Sequence, residues 1–507
     1  MVPINRVPLD VLSLIPTHLS SNRDIFYASF VCRHWRRTFI QRAALWSRLY
    51  LTRPRADLYV KTLLERSKGS ALHIIAVRNP LPLPGDLAIF SPHARRIGNL
   101  DFIYGNWTDV QKFSEVASGP LPLLRTLQIH VCYDRDEDGE LRGAVTPPSL
   151  PFFSGAVNLK EFRLRSEGSP FLDHFFFPNL TTLELSVTPV EGFPGSQLLN
   201  FLEASPTLRT VHIQIRADVF LRDVPPGRVV ILPNVEKFDL FMGEDGPGCK
   251  FAAHISCPSA RRTSLLYEQG ADNPTSPEIF PTSVAWDAIA RQYAASVVDE
   301  VVLEITTAQN PIITCLLTFL SPGPVVLVLG SKVTVRYDDD DDDDDEEFEM
   351  TLGERHAEIF SRASMAIRTH PLLASVKRLR VQDRSTTIAS DELPRIAGEV
   401  RQLLKSVGPL DALIIDVLDL RPYLGPFLQF PEFRDMAQPD AFPPIKELKI
   451  AQLVQVPTQC AAAIVELAKL QHAAGMPFER VTLHVRNPPP EVTEWLSPWV
   501  GTVHCYD

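Results

Sequence analysis

Two short stretches approach motifs that bind ligands. Residues 134–141 read DRDEDGEL and place three aspartates before a glycine, as the first half of a calcium loop does. Position twelve of such a loop is Val145 instead of the bidentate glutamate, which favours a plain acidic loop. Residues 243–250, GEDGPGCK, approach a phosphate-binding loop, but Cys249 stands where the lysine belongs and no serine or threonine follows Lys250. We interpret this second stretch as a turn.

A third stretch, FVCRHWRRTF at residues 30–39, sets a thiol and an indole among basic side chains. Nothing nearby resembles a general base or a set of metal ligands, so Cys32 is expected to be a small buried apolar residue and not a reactive thiol. The chain has no G-x-S-x-G, H-E-x-x-H or G-x-G-x-x-G motif, and its 13 histidines lack ligand spacing. The sequence therefore predicts no catalytic residue, no metal and no cofactor.

Charge is distributed unevenly along the chain. The formal net charge of −11 equals the charge of a single stretch, eight consecutive aspartates at 338–345 with Glu346, Glu347 and Glu349. Residues 1–66 carry eleven arginines and lysines against four acidic residues, so the N-terminal region is basic. The acidic run cannot pair its like charges internally, so residues 337–350 are expected to form a disordered insertion, available to a basic partner.

The cysteines and the hydropathy of the chain indicate the cellular compartment of the protein. Seven scattered cysteines without a C-x-x-C pair indicate free thiols in a reducing compartment. The N-terminus lacks the apolar segment of a signal peptide, and the most apolar stretch, 312–329, is interrupted by SPGP. These features predict a cytoplasmic or nuclear protein without a membrane span.

The first fifty residues carry two amphipathic stripes. Pro8 can open a helix whose apolar residues recur until Leu19, although Pro16 should end or kink it early. After turn residues, a second stripe consists of Ile25, Ala28, Val31, Cys32 and Trp35. A self-contained three-helix bundle is one interpretation. Because a segment this short buries too little for a stable core of its own, it would need a further surface to cover it.

This segment resembles an F-box. The resemblance rests on Val7-Pro8-Leu9-Asp10-Val11-Leu12, on Val31-Cys32-Arg33-His34-Trp35 and on Leu45-Trp46, with Val7 in place of the usual leucine. An F-box implies helices that pack on the Skp-family adaptor of an SCF (Skp–cullin–F-box) ubiquitin ligase. The adaptor-binding positions that the resemblance implies are Pro8, Leu9, Leu12, Ile15, Leu19, Val31, Cys32 and Trp35. The surrounding arginines would steer an acidic partner.

From about residue 70 a unit recurs in which an apolar residue is followed by two variable residues, an apolar, one variable and an apolar. Its copies begin at Ile97, Leu124, Leu159, Leu180, Leu208, Val235, Val298, Val376, Leu410, Ile445 and Phe478. The alternating apolar residues predict short strands with one inward face, stacked into a parallel sheet. Helices are predicted between the later strands, at 286–298, 354–369, 391–406 and 459–473. A generic α/β fold with parallel strands is the alternative.

The period of this unit, about 20 to 35 residues, and its L-x-x-L-x-L pattern resemble leucine-rich repeats. The predicted fold is α/β: a short N-terminal helical F-box followed by an irregular leucine-rich-repeat horseshoe with a parallel sheet. The predicted domains are the F-box at 1–52, a linker and capping segment at 53–96, divergent repeats at 97–486 and a C-terminal tail at 487–507.

The residues that alternate with the inward leucines would line the concave surface of a horseshoe and bind a target protein. They are Gln128, His130, Arg163, Arg165, His212, Asp239 and Phe241. A mixed polar set with an aromatic residue suits a protein-binding surface, although each member is equally compatible with a solvated strand position.

These patterns together predict a non-catalytic substrate-recognition subunit of an SCF-type ubiquitin ligase, acting in ubiquitin-dependent protein degradation. Its F-box would dock on the Skp-family adaptor, and through it a cullin, while the repeats bind an unknown target protein. The alternative is a scaffold that uses an F-box and repeats outside a ubiquitin ligase. Neither a nucleic acid nor a membrane is expected as a partner.

Overall fold

The computed structural model describes residues 22–51, 57–77, 87–105, 107–116, 119–131, 153, 155–166, 172–188, 193–215, 219–220, 224–242, 251–269, 300–307, 312–320, 326–334, 361, 376–383, 393–406, 409–417, 444–453, 458–485 and 490–506. The chain divides into two compact units, Met1–Val235 with His254–Pro258 and Glu236–Ala253 with Ser259–Asp507.

The first unit begins with short helices that lead directly into a sheet. Helix α1 (Asn22–Ser29), helix α2 (Arg33–Gln41) and a 3-10 helix (Ala43–Trp46) precede strand β1 (Arg48–Leu51). Helix α3 (Asp57–Ser67) then connects β1 to β2. The F-box-like segment therefore contributes a strand as well as helices.

The sheet of the first unit is parallel and follows the order of the chain, from β1 to β7. Its further strands are β2 (Leu72–Val77), β3 (Ile97–Gly105), β4 (Thr126–Val131), β5 (Glu161–Ser166), β6 (Thr182–Val187) and β7 (Thr210–Ile215). Each strand pairs in parallel with the next. Leu127 of β4 aligns with Phe162 of β5, and both are fully buried, because alternate side chains face the core.

Helices cover the apolar face of this sheet through aromatic contacts. Helix α4 (Trp107–Val116) places Phe113 against Phe102 of β3, with ring centroids 5.4 Å apart. Helix α5 (Gly195–Glu203) places Phe201 against Phe162, with centroids 6.1 Å apart. Short 3-10 helices at Ala88–Arg96 and Leu172–His174, and two-residue strand pairs Phe193–Pro194 with Val219–Phe220 and Val230–Ile231 with Ile255–Ser256, complete this layer.

Consecutive turns of the first unit are joined by side-chain hydrogen bonds. Asn158 Nδ2 donates to Pro122 O at 2.9 Å, and Asn179 Nδ2 donates to Val157 O at 2.8 Å. Thr207 Oγ1 and Asn234 Nδ2 continue the series on the turns that follow. Each bond satisfies a turn carbonyl of the preceding repeat, so every turn is fixed to its neighbour.

The second unit contains a mixed sheet. Its strands are β8 (Lys237–Met242), β9 (Arg262–Gln269), β10 (Glu300–Thr307), β11 (Ile312–Leu320), β12 (Val326–Thr334), β13 (Arg378–Asp383), β14 (Leu410–Val417), β15 (Ile445–Leu453), β16 (Arg480–Val485) and β17 (Thr502–Tyr506). The order across the sheet is β8-β9-β12-β11-β10-β13-β14-β15-β16-β17.

Three helices lie between the later strands of the second unit. They are α6 (Leu393–Ser406), α7 (Thr458–Ala473) and α8 (Pro490–Leu496). A small apolar cavity lies between α6 and two strands, lined among others by Leu379, Leu403 and Leu413. Helices α6 and α7 confirm the predictions at 391–406 and 459–473, whereas those at 286–298 and 354–369 fall outside the described residues apart from Ser361.

The sheet of the second unit differs from the expectation of parallel strands. Strand β11 runs antiparallel to both β10 and β12, and the three strands form a meander that reverses the spatial order of the chain. The stretch 312–329 thus contains β11 and the start of β12, two strands joined through SPGP. Within the described residues, no helix combines the length and apolarity needed to cross a membrane.

Candidate protein-docking surfaces

The second predicted stripe of the F-box-like segment is split between two helices. Phe30 N–H donates to Tyr27 O at 2.9 Å, which closes α1, and Cys32 begins α2 from an extended conformation. Its Sγ accepts the Trp35 N–H at 3.5 Å. Cys32 is therefore a half-buried helix cap, which corrects its expected role as a buried core residue.

Trp46 forms the inner side of this helical segment. It is fully buried, and its Nε1–H donates to Phe39 O at 2.8 Å. The Phe26 ring meets it edge-on at 5.1 Å, and the Arg66 guanidinium lies 4.5 Å from its ring centroid. Because Phe26, Phe39 and Arg66 belong to α1, α2 and α3, this single indole holds three helices together.

The outer side of the segment exposes large apolar residues where α1 meets α2. Tyr27, Phe30 and Val31 are 58%, 65% and 51% exposed. Trp35, one turn into α2, is half-buried, and its indole N–H has no acceptor among the described residues. We name Tyr27, Phe30, Val31 and Trp35 the apolar ledge. A contiguous exposed apolar patch of this kind marks an interaction site more often than a solvated surface.

Arginines surround the apolar ledge. Arg33, Arg36 and Arg37 are exposed on α2, which has no acidic residue, and no described carboxylate pairs with them. The Arg36 guanidinium lies 5.3 Å from the Phe30 ring centroid, and its Nε donates to Ser29 O at 3.3 Å. An apolar centre with a positive rim favours an apolar partner surface bordered by carboxylates.

The structure brings together part of the predicted adaptor-binding set. Val31, Cys32 and Trp35 meet at the junction of α1 and α2, whereas Pro8, Leu9, Leu12, Ile15 and Leu19 lie outside the described residues. Sequence reasoning missed Tyr27 and Phe30. Tyr27 precedes Phe30 by three residues and Val31 by four, and this helical spacing was the signal that could have identified them.

A second candidate surface lies on the polar face of the first unit's sheet. Gln128, Arg163, Glu184 and His212 align across β4 to β7. His130, Arg165, Ser186 and Gln214 form the next aligned row. All eight side chains are at least partly exposed, because the intervening apolar residues occupy the buried face. We name these two rows the polar face.

Ion pairs organise the centre of the polar face. Arg163 Nε donates to Glu161 Oε1 at 2.7 Å and lies 3.6 Å from Glu184 Oε2, and Arg165 Nη2 reaches Glu184 Oε1 at 3.3 Å. The arginine side chains are 45% and 58% exposed, against 29% and 27% for the two glutamates. The guanidinium groups therefore form the outer layer over partly covered carboxylates, which orient them with little net contribution to stability.

The same polar surface continues toward the F-box-like segment. His73 Nε2 and Asp101 Oδ2 are 2.7 Å apart on β2 and β3, and Asp101 aligns with Gln128. On β1, the Arg48 guanidinium lies 5.2 Å from the Tyr50 ring centroid. Arg48, Tyr50 and His73 escaped prediction because β1 and β2 precede Ile97, where the first recognised copy of the repeat begins.

Two of the predicted target-binding residues belong to the second unit. Asp239 and Phe241 lie on β8, where Phe241 is half-buried and Asp239 is 8% exposed. Asp239 Oδ2 pairs with Lys237 Nζ at 2.8 Å, so its carboxylate is largely occupied within the unit. The predicted set of seven is thus divided, with Gln128, His130, Arg163, Arg165 and His212 together on the first unit.

The described residues contain no group of three or more His, Cys, Asp or Glu placed to hold a metal ion. The calcium-like and phosphate-loop-like stretches, 134–141 and 243–250, and the acidic run at 337–350 lie outside the described residues. Cys32, Cys257 and Cys505 are free thiols.

Cys257 is expected to resist thiol reagents in the folded protein. It is 2% exposed, and burial raises the pKa of its thiol from 9.0 to about 12. The folded state keeps this proton where the unfolded state loses it, so the stabilisation is complete below pH 9.0 and declines as the pH rises toward 12. Mass spectrometry after maleimide labelling near pH 8 should show Cys505 modified and Cys257 modified after urea unfolding only. Equal labelling of both in the native protein would contradict this assignment.

The comparison with protein families agrees with the geometry at the N-terminus. The F-box-like family model matches residues 4–52, the stretch that ends with Trp46 and β1. No curated protein matches the chain. Residues 4–52 therefore carry an F-box-like domain.

Proposed function

We propose that this protein is a substrate-recognition subunit of an SCF-type ubiquitin ligase. The F-box-like domain would dock on a Skp-family adaptor, and through it a cullin, while the sheet of the first unit presents a target protein. The observation that carries this proposal is the apolar ledge, which lies within the F-box-like match and stays exposed in the isolated chain. The free thiols support a reducing compartment, so we place the protein in the cytoplasm or nucleus.

The ledge has the composition of a protein interface. Its aromatic residues and valine are the kind of side chain that interface centres contain, and Trp35 is suited to be an anchor. Covering the ledge would remove from water the apolar surface that Tyr27, Phe30 and Val31 now expose. The arginine rim would add orientation and association rate more than affinity, since its charges stay near solvent.

We further propose that the strands beyond the F-box-like domain are divergent leucine-rich repeats. Parallel strands in chain order, an apolar residue at matching positions in each, and turns bonded to their predecessors all support a repeating architecture. The antiparallel β11 interrupts this regularity in the second unit.

The polar face is the surface we assign to the target. Its guanidinium groups are held by the Glu184 carboxylate, and the Ser186 hydroxyl donates to Gln214 Oε1 at 3.4 Å, so the strands offer directional hydrogen bonds in fixed positions. Both Arg163 and Arg165 contact Glu184, so the arginines present donors next to a compensating carboxylate instead of an isolated cationic pocket. This arrangement suits a polar protein surface with mixed charges.

Our proposal gives the chain no chemical step of its own. Ubiquitin transfer would be catalysed by other subunits, and this chain would raise the effective concentration of target lysines near the charged ubiquitin carrier. Strand β1 follows the F-box-like helices without a linker and pairs with β2. A direct connection of this kind would present the target in a defined orientation.

Affinity purification of the tagged full-length chain tests the proposal. The wild type should recover a Skp-family adaptor, a cullin and a target. The variant Arg165→Ser should recover adaptor and cullin unchanged but several-fold less target, since interface arginines are frequent hot spots. Arg125→Ser, at an exposed arginine outside the polar face, is the matched control and should recover all three.

Two other outcomes of this purification would contradict the proposal. Recovery of the adaptor without a cullin would identify the chain as a scaffold acting outside a ubiquitin ligase. Failure to recover any Skp-family adaptor would exclude the docking role of the F-box-like domain.

A further inference from the structure

The last strand of the second unit has an open edge. β17 pairs in parallel with β16, from Thr502 opposite Arg480 to Tyr506 opposite His484, and no other described strand pairs with it. Gly501 N–H donates to Phe478 O at 3.0 Å, toward β16. Because the backbone groups of successive strand residues point to opposite edges, the N–H and C=O groups of Thr502, His504 and Tyr506 point outward. Within the described chain these outward groups have no hydrogen-bond partner.

β17 lacks the features that normally protect an edge strand. Its sequence, TVHCY, contains no charged residue and no proline, and its register with β16 is free of bulges. The preceding strands β13 to β16 each carry charge, for example Arg378, Asp411, Glu447 and Arg480. Among β13 to β17, β17 is therefore the strand whose composition permits pairing with another strand.

Exposed aromatic residues accompany this open edge. Tyr506 is 49% exposed, and its ring stacks on His484 with centroids 5.0 Å apart and planes inclined by 16°. Helix α8 contacts β17 through Thr493 Oγ1 and Cys505 Sγ, 3.6 Å apart, and carries Trp495, which is 41% exposed. Tyrosine and tryptophan are enriched in protein interfaces, so the surroundings of the edge also favour a partner.

We propose that β17 is a dimerisation strand, whose open edge pairs antiparallel with β17 of a second copy of this chain. With the two-fold axis at His504, each His504 pairs with the partner's His504, and Thr502 pairs with the partner's Tyr506. This register satisfies all the outward backbone groups of both strands and opposes no like charges. The sheet of this unit already accommodates antiparallel pairing, since β11 lies between β10 and β12. The proposal is independent of adaptor docking.

Sedimentation of the full-length chain tests the pairing. The wild type should show a concentration-dependent monomer–dimer equilibrium. His504→Pro removes an N–H that points outward, so it leaves the bonds to β16 intact and should raise the dimer dissociation constant by about tenfold or more. His504→Ala loses the same imidazole but keeps the N–H, and its dissociation constant should stay within about threefold of the wild type.

Cross-linking provides a second measurement on the same register. Val503→Cys places a thiol opposite the partner's Cys505, so mild oxidation should give a covalent dimer that the further change Cys505→Ser abolishes. A wild-type chain that stays monomeric at about 100 µM would overturn the proposal, and so would a dimer that His504→Pro leaves unchanged. If the edge instead receives an extended segment of a different protein, the wild-type chain will be monomeric.

Discussion

Replacing Trp46 with alanine is expected to lower the free energy of unfolding of the first unit by about 3–5 kcal/mol. The change removes a fully buried indole that contacts Phe26 and Arg66, and with it the hydrogen bond from the indole N–H to Phe39 O. Since Trp46 directly precedes β1, the loss should loosen both the helical segment and the first strand of the sheet. Urea unfolding followed by circular dichroism measures the shift in the transition midpoint.

Two variants serve as controls for Trp46→Ala. Trp46→Phe keeps most of the ring but removes the N–H, and should cost about 0.5–1.5 kcal/mol because one hydrogen bond is lost while Arg42 N–H still donates to Phe39 O. Trp495→Ala removes a tryptophan that is 41% exposed and should change stability by less than about 1 kcal/mol. If Trp46→Ala and Trp495→Ala unfold at the same urea concentration, Trp46 does not hold the helices together.

Substituting Val31 with asparagine is expected to weaken binding of the Skp-family adaptor by about 10- to 100-fold. An amide buried in an apolar interface without a partner costs about 1–3 kcal/mol. The stability of the free chain should not change, because Val31 is 51% exposed. Isothermal titration calorimetry with purified adaptor gives the dissociation constant, and the salt dependence of the association rate reports the arginine rim separately.

The chain offers a closely matched control for Val31→Asn. Val229 is 49% exposed in the first unit, away from the F-box-like domain, so Val229→Asn makes the same chemical change at nearly the same exposure. It should bind the adaptor as the wild type does. Adaptor affinity that is identical for the wild type, Val31→Asn and Val229→Asn would show that the apolar ledge is not the docking surface.

Most strands could be predicted from the sequence because their apolar residues alternate. Every predicted copy of the repeat coincides with a strand, from Leu100 and Phe102 in β3 to Val481 and Leu483 in β16, and these residues are fully buried. Because one face of each strand is buried, apolar residues recur at every second position, and this period of two is the pattern seen in the sequence. The helices α6 and α7 were predicted for the same reason, at a helical period.

Strand β1 of the first unit and strand β17 of the second unit escaped prediction for a different reason. Trp46, Leu49 and Leu51 have the spacing of the repeat, but that stretch had already been interpreted as part of a helical F-box. Val500, Val503 and Cys505 also fit, yet the half-polar sequence around them resembled a tail. The segment 53–96, expected to be a linker and cap, contains α3, β2 and the whole 3-10 helix Ala88–Arg96. Local patterns identify strands but do not show where a sheet begins.

The antiparallel β11 could not be inferred from apolar patterning. Parallel and antiparallel strands bury their side chains in the same way, and what distinguishes them is the length of the connection. Only four residues of the sequence, 308–311, separate β10 from β11, too few for the crossover that a parallel neighbour requires. That spacing was the available signal.

The candidate surfaces were predicted unevenly. Val31 and Trp35 were identified through the F-box motif. Tyr27 and Phe30 were identified from the structure, because their side chains are exposed at the junction of α1 and α2. On the polar face, the alternation identified Arg163 and Arg165, but the pairing of Arg163 with Glu161 depends on side-chain geometry that spacing does not encode. The exposure of a side chain and the partner that it contacts depend on tertiary structure, which the pattern of a single sequence does not encode.

The pairing of β1 with β2 has a practical consequence for genetic studies. An allele that deletes the F-box-like segment can act as a dominant negative only if the remainder of the chain stays folded. A deletion of residues 1–52 would remove β1 and leave one edge of β2 without its neighbouring strand. The sequence of β2, LHIIAV, contains no charged residue. Unpaired edge strands of this composition pair with one another, and the protein aggregates. A null phenotype of that allele would then result from aggregation and degradation of the truncated protein, and not from competition for a substrate.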